Sequence, residues 1–366
     1  MAVEYKEFDK NVIVNATIRN VDVELFDIRQ EPFDIYGLFE PCDPQKERFE
    51  RIPREVALSV SEGVGVQSYE PAGGKVRFCT DSDYVAIKVE TAWMTRRPHF
   101  TFIEAAGFDM YVDVDGRELL QGVFVPPHDA EGGYEQILRF QDRKRRYLTI
   151  NFPLHACVKN LQVGLRPGSF LGHGKKYINE KPVVCYGSSI TQGTGASRPG
   201  TAYCNLLAQR LNVHFYNLGF SGQCRGEPAM AHYIAGLNMS ALILDYDENA
   251  PTPEHLESTH EPFFKIIRDK HPELPVVMLS RPSIYAKSAM HKPFRDIIYQ
   301  TYANAVAAGD KNVYFIDGTE YLKEYGWDEC ILDGIHPNDL GYFAMANNIQ
   351  KYLEKIIAKS DDFRKG

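Results

Sequence analysis

The 366-residue sequence has no apolar run long enough to cross a bilayer. Its longest, such as Leu274–Leu279, stop far short of the ~18 residues a spanning helix takes, so no membrane partner is expected. It has no Cys-x-x-Cys pair. The seven cysteines, at 42, 79, 157, 185, 204, 224 and 330, are an odd number and suit reduced, mostly buried thiols in a reducing compartment. There is no excess of positive charge either. Lys and Arg total 41 against 49 Asp and Glu, and a net charge of −8 repels a polyphosphate chain, which excludes general nucleic-acid binding. The one basic cluster, Arg143–Arg146, adjoins a strand-like segment and reads as a solvated edge. The N-terminal segment carries Glu4, Glu7 and Asp9 and no apolar core, so no export signal is expected and a cytoplasmic location is.

What is present is ordinary for a folded chain: 44% hydrophobic and 25% charged residues, over a length that predicts about two domains. The two halves differ in rhythm. Up to about residue 175, Val85, Ile87 and Val89 alternate with Ala86 and Lys88, and Tyr147–Phe152 and Val158–Leu165 alternate again. Turn chemistry, as in Pro71–Gly74 and Pro167-Gly168, separates these segments. Short strands between turns predict an antiparallel β-sandwich, of jelly-roll type, over 1–175. From Lys181 onward, five apolar runs read as buried parallel strands: Pro182–Tyr186, Val213–Leu218, Ala241–Tyr246, Pro275–Ser280 and Val313–Asp317. Helical patterns over His255–Lys270, Arg295–Ala308 and Gly341–Ile357 fall between or after them. This alternation predicts an α/β domain, a doubly wound parallel sheet over 176–366, with chemistry at the carboxyl ends of its strands. The glycine-bearing stretch Gly168–Glu180 marks the boundary.

The first parallel strand runs into Gly187-Ser188-Ser189, a small residue two before a serine, which suits a sharp turn presenting a hydroxyl. No lysine follows to make a phosphate loop. Late in the chain, Asp333-Gly334-Ile335-His336 places a carboxylate and an imidazole three residues apart. There the acid can fix the ring's tautomer and leave its other nitrogen to take a proton from serine. The same segment also suits a polar loop capping the last helix, with Asn338 or Asp339 as N-cap. Gly222 follows the second strand and Asn249 the third, and each offers an N–H to a developing oxyanion. Both also have a plainer reading, as a tight turn and an Asx turn.

In order, Gly187-Ser188-Ser189, Gly222, Asn249 and Asp333-x-x-His336 resemble blocks I, II, III and V of the SGNH/GDSL hydrolases, over residues 181–357. The resemblance implies a flavodoxin-like sheet and a serine esterase without cofactor or metal. It implies Ser189 as nucleophile, His336 as general base and acid, and Asp333 as the group orienting that histidine. The N–H groups of Ser189 and Gly222, with the Asn249 amide, would form the oxyanion hole. Two positions depart: Ser188 stands where the family has Asp, and Asp247-Glu248-Asn249-Ala250 lacks the flanking glycine and aspartate of block III. Gly107-Phe108-Asp109-Met110-Tyr111 is similar to the Gly-x-Asp-Leu-Tyr signature of a domain N-terminal to certain bacterial SGNH esterases. That layout implies a carbohydrate esterase removing short acyl groups, acetyl above all, from an acylated carbohydrate or another small ester.

The residues also suit other readings. The acidic and histidine-rich stretch 245–261 meets no metal-ligand spacing. Cys185 and Cys224 flank the proposed site but suit inert packed thiols. A catalytically inactive carbohydrate-binding relative is the non-enzymatic alternative, and a lipase would require an apolar lid for which no segment is evident. Arg281, after the fourth strand, is read either as a contact to a polar substrate or as a partner in a surface salt bridge.

Overall fold

The computed structural model describes residues 18–19, 21–283 and 287–359; the N-terminal segment on which the export reading rests lies outside the described residues. The second half is built on a five-stranded parallel sheet. Its spatial order is Phe215–Gly219, Val183–Gly187, Ala241–Asp245, Val276–Leu279 and Val313–Ile316, which in sequence order is 2-1-3-4-5. This is the flavodoxin-like arrangement, whose switch point lies between the first and third strands. The first three strands are buried throughout, because helices cover both faces. Leu207, Ala344 and Ile349, from helices Tyr203–Leu211 and Asp339–Lys359, share one core with Cys185 and Ile243. Met230, Phe263 and Ile298, from helices Pro228–Ala235, Pro253–Lys270 and Ser288–Ala307, share the other with Val184 and Leu244.

Local chemistry sets the helix ends. Thr252 accepts the His255 N–H at 3.2 Å, Pro253 takes the first helical position, and Arg268 and Lys270 stand in the last turn. The helix therefore begins two residues before the apolar pattern does. Asn338 Oδ1 accepts the Gly341 N–H at 3.1 Å and caps the final helix.

The first half is an antiparallel β-sandwich. One sheet contains Glu24–Asp27, Ala156–Leu165, Tyr84–Met94 and Gly133–Arg139. The other contains Leu171–His173, Lys75–Thr80, Arg146–Asn151, Phe108–Val114 and Arg117–Phe124, with Asp34–Tyr36 paired to Lys75–Arg77. Val76, Phe78, Val85, Ile87, Met110, Ile150 and Val163 close the core between them. The glycine-bearing stretch read as a boundary contains a strand, Leu171–His173, paired with Phe78–Thr80.

The strand Lys75–Thr80 breaks the in–out rule, since its polar side chains are buried along with its apolar ones. Their partners come from both halves. Lys75 Nζ bonds Asn205 and Arg77 lies 4.2 Å over the Tyr177 ring, while within the sandwich Arg77 lies 3.2 Å from Glu118 and Thr80 Oγ1 donates to Phe170 O at 2.7 Å. Two short helices, Arg54–Val60 and Glu62–Gln67, leave the sandwich and place Ala57 and Val64 in a core of the α/β half. Asp109 is a second clasp. Fully buried, it accepts the Gly200 N–H at 2.7 Å and the Asn151 amide at 2.7 Å.

Candidate active site

The strand Val183–Gly187 ends in a glycine for a steric reason: a Cβ there would lie 2.0 Å from Thr191 Oγ1. The chain can therefore double back into the one-turn helix Ser189–Gln192. Ser188 is its N-cap, fully buried, with Oγ accepting the Ile190 N–H at 3.2 Å. Ser189 is the first helical residue, so its N–H has no acceptor within the helix. Its Oγ lies 2.8 Å from His336 Nε2. Of the adjacent pair, then, one serine caps the helix and the other meets the imidazole.

On the far side of that ring, Nδ1 lies 2.7 Å from Asp333 Oδ2. Asp333 Oδ1 accepts the N–H groups of Ile335 at 3.1 Å and His336 at 2.9 Å. Burial alone would raise the Asp333 pKa, but the bonds from the His336 backbone and ring outweigh it and hold the carboxyl below its ordinary value. The Leu332 N–H donates to His336 O at 2.8 Å and closes the loop. Leu332 and Ile335, 45% and 42% exposed, present apolar side chains from this loop.

Gly222 and Asn249 come together from different strand ends. Gly222, at φ +70° with open space around its α-carbon, donates its N–H to Asn249 Oδ1 at 3.2 Å. Asn249 Nδ2 donates to Phe220 O at 3.1 Å. The serine turn, the Gly222 loop and Asn249 thus follow the first, second and third strands, at the switch point of the sheet.

Arg281 pairs with the two residues that precede Asn249. Its guanidinium is 8% exposed, 3.1 Å from Asp247 and 3.2 Å from Glu248, and sits 4.2 Å over the Phe294 ring. It is an ion-pair partner, buried rather than at the surface. Burial pushes Glu248 up to about 7 despite the neighbouring Arg281, and pushes Asp245, which accepts from Thr191 and Tyr203, to about 7 as well. The thiols of Cys185 and Cys224 are buried, which drives both pKa values upward. Among the described residues, no group of three His, Cys, Asp or Glu side chains is placed to hold a metal ion.

Several residues beside the site carry no signal in the sequence, because they belong to the sandwich half. His155, buried, lies 3.7 Å from Glu70 and 3.5 Å from Glu104. Burial opposes its charge, yet the two carboxylates outweigh burial and its pKa is raised. Glu104 accepts the Gly195 N–H at 2.9 Å, and Glu70 accepts Gln192 Nε2 at 2.7 Å. His99 stacks on His336.

A parallel sheet in this order, with serine, glycine, asparagine and an Asp–His pair gathered at its strand ends, defines an α/β hydrolase of the SGNH class behind a β-sandwich. Residues 180–354 match the model of the GDSL-like lipase/acylhydrolase family, and residues 23–171 match the model for the N-terminus of SGNH hydrolase-type esterases. The chain therefore carries a GDSL-like lipase/acylhydrolase domain behind the N-terminal domain of SGNH-type esterases. Among solved structures it is similar to a protein of Bacteroides ovatus described as a GDSL-like lipase. The two share 26% identity and a TM-score of 0.82, over 92% of this chain and 98% of that one. It is similar in fold to the salicylyl-acyltransferase SsfX3 from a tetracycline biosynthetic pathway, at 20% identity and a TM-score of 0.75 over 92% and 98%. An acetyl xylan esterase, Est2A, from the rumen bacterium Butyrivibrio proteoclasticus has 12% identity and a TM-score of 0.56 over 92% and 99%. No curated protein matches the chain. Among the described residues, no helix is long and apolar enough to cross a membrane.

Proposed function

We propose that the protein is a serine esterase that removes short acyl groups, acetyl above all, from carbohydrates through an acyl-enzyme. The observation that carries this reading is the unbroken relay from Ser189 Oγ to His336 Nε2, at 2.8 Å, and from His336 Nδ1 to Asp333 Oδ2, at 2.7 Å. Ser189 Oγ attacks the acyl carbon while His336 Nε2 takes its proton, and the nearby Asp333 carboxylate favours the imidazolium that forms. The carbonyl oxygen becomes an oxyanion held by the Ser189 N–H, by the Gly222 N–H as it exchanges Asn249 Oδ1 for the new charge, and by the Asn249 N–H that Phe220 O does not take. Such a donor is typically worth about 10²–10³ in rate. Collapse breaks the bond to the alcohol, which leaves with the proton from His336. A water molecule, deprotonated by the same nitrogen, then releases the acid and restores Ser189.

A carbohydrate substrate is supported by the fold shared with Est2A and by a polar setting around the serine, to which Ser221, Asn249 and His99 contribute. Exposed Leu332 and Ile335 suit the apolar edge of a sugar ring or an acetyl methyl group. The inactive-relative reading is disfavoured by the intact relay. The test is hydrolysis of 4-nitrophenyl acetate, followed by mass spectrometry of acetylated oligosaccharides resolved by position of acetyl loss. Wild type is expected to turn over both, and Ser189→Ala to lose nearly all activity. A wild type inert towards every ester rejects the enzyme reading. Cleavage of other acyl esters with every acetylated sugar untouched rejects the carbohydrate.

A further inference from the structure

The Gly222 N–H belongs to the same rigid, planar unit as the Ser221 carbonyl. In a trans peptide the two point in opposite directions, so whatever fixes Ser221 O also aims the Gly222 N–H. Gly222 has φ +70° and nothing within 4 Å of an added Cβ, and its N–H meets Asn249 Oδ1 at 3.2 Å. Two glutamines on opposite sides of Ser221 supply the rest of the restraint. Gln67 Nε2, at the end of the helix Glu62–Gln67 in the N-terminal half, donates to Ser221 O at 2.9 Å. Gln192 Oε1, three residues after Ser189, accepts both the Ser221 N–H at 3.0 Å and its hydroxyl at 2.7 Å.

Neither glutamine is free to turn. Gln192 Nε2 donates to Glu70 Oε2 at 2.7 Å and to Leu154 O at 3.0 Å, which leaves its oxygen for Ser221. The Gln67 backbone carbonyl is held by Arg51 Nη2 at 3.0 Å, and Arg51 also bonds Asn217 O at 3.2 Å and sits 4.1 Å over the Phe220 ring. Gln67 Oε1 is buried and meets no protein donor. A carbonyl oxygen accepts only from a donor, so turning the Gln67 amide over would set oxygen against oxygen.

We propose that Gln67 is a positioning residue of the oxyanion hole, holding the Ser221–Gly222 peptide so that the Gly222 N–H faces the oxygen of the tetrahedral intermediate. The sandwich half is by this account a working part of the active site. The inference rests on the esterase reading above and extends it to a residue outside the family motifs. The role belongs to the transition state, so it acts on kcat and on tetrahedral adducts and leaves ground-state binding alone.

The experiment uses the full chain with Gln67→Met, which keeps the volume and removes the donor, and Gln67→Lys, which restores a donor. Activity is read with 4-nitrophenyl acetate, tetrahedral-adduct binding with phenylboronic acid, and folding by thermal melting. For Gln67→Met we expect kcat to fall about 10–100-fold, part of the loss from removing a whole donor, with KM within about twofold. Boronate affinity is expected to fall in parallel, and Gln67→Lys to recover most of both. Equal kcat and boronate affinity in Gln67→Met and wild type overturns the inference, as does an equal loss in both variants. So does a loss confined to KM. Should Gln67→Met fail to melt cooperatively, Gln67→Lys decides alone: near-wild-type kcat and boronate affinity support the role, and their loss in a folded Gln67→Lys overturns it. Wild-type activity that survives Ser189→Ala, or is absent altogether, defeats the esterase reading itself, an outcome visible before any Gln67 variant is assayed.

Discussion

His99 and His336 hold nearly parallel rings, their centroids 6.2 Å apart and their planes 17° from parallel. His99 comes from the loop after the strand Tyr84–Met94 in the sandwich, so that half stands beside the histidine of the relay. The neighbouring Phe100 stacks on His155 at 4.5 Å, which ties the loop down. A ring contact of this kind is worth about 0.5–1.5 kcal/mol. Because His99 is exposed, His99→Ala is expected to leave the melting temperature unchanged. It should lower kcat/KM about 2–10-fold, more for an oligosaccharide ester than for 4-nitrophenyl acetate. Steady-state kinetics on both substrates checks this, and equal values with wild type on both refute it.

Asp333→Asn tests the orienting role. The asparagine oxygen can still accept the two backbone N–H groups that Oδ1 accepts now, so the loop survives. Its NH₂ would then face Nδ1 and demand the opposite tautomer, which places a proton on Nε2 where a base is needed. The kcat of Asp333→Asn is expected to fall about 10²–10⁴-fold with the melting temperature little changed. A variant within threefold of wild type removes Asp333 from the mechanism.

Ser188→Ala separates capping from chemistry. It deletes the acceptor for the Ile190 N–H, a loss of about 1 kcal/mol by comparison with other N-caps. Chemical denaturation should show that loss while substantial esterase activity remains. Abolished activity in a folded Ser188→Ala would move the nucleophile assignment.

Asp245 gives the pH prediction. Burial raises its folded pKa to about 7, with Asp247 adding to the effect, against about 3.9 in an unfolded chain. Its protonated form therefore contributes stability that is fully present below about pH 4 and is lost as the pH rises towards 7. Asp245→Asn is neutral throughout and keeps an acceptor for Thr191 and Tyr203. The stability gap between the variant and wild type should shift in the variant's favour by a few kcal/mol, to order of magnitude, between pH 5 and pH 8. Urea unfolding at the two pH values measures it, and a gap independent of pH would show that Asp245 is not held protonated.

The parallel sheet was legible because each strand is a continuous apolar run, which only a sheet covered on both faces produces. Ser189, Gly222 and Asn249 are legible because the geometry of a parallel sheet puts them shortly after strand ends, whereas Asp333 and His336, 17 and 20 residues beyond Ile316, are legible from their own three-residue spacing. Glu70, Glu104, His155 and Gln67 have neither signal. Their contacts span from 51 positions, Glu104 to His155, up to 154, Gln67 to Ser221, and form only through tertiary packing. Lys75 and Arg77 illustrate the same blindness, since polar residues in a strand read as solvent-facing until a partner surface is known. The helices Arg54–Val60 and Glu62–Gln67 are too short for a periodic pattern to accumulate.

The Asp109 clasp has a consequence for the history of such chains. Its carboxylate is sealed against the Gly200 amide, and a side chain at 200 would collide with the Tyr111 hydroxyl at 2.1 Å. Neither piece can be exchanged for a foreign counterpart without stranding a charge or jamming a loop. Gene fusions and laboratory chimaeras that swap one piece alone should yield misfolded products, whereas the two inherited together remain viable.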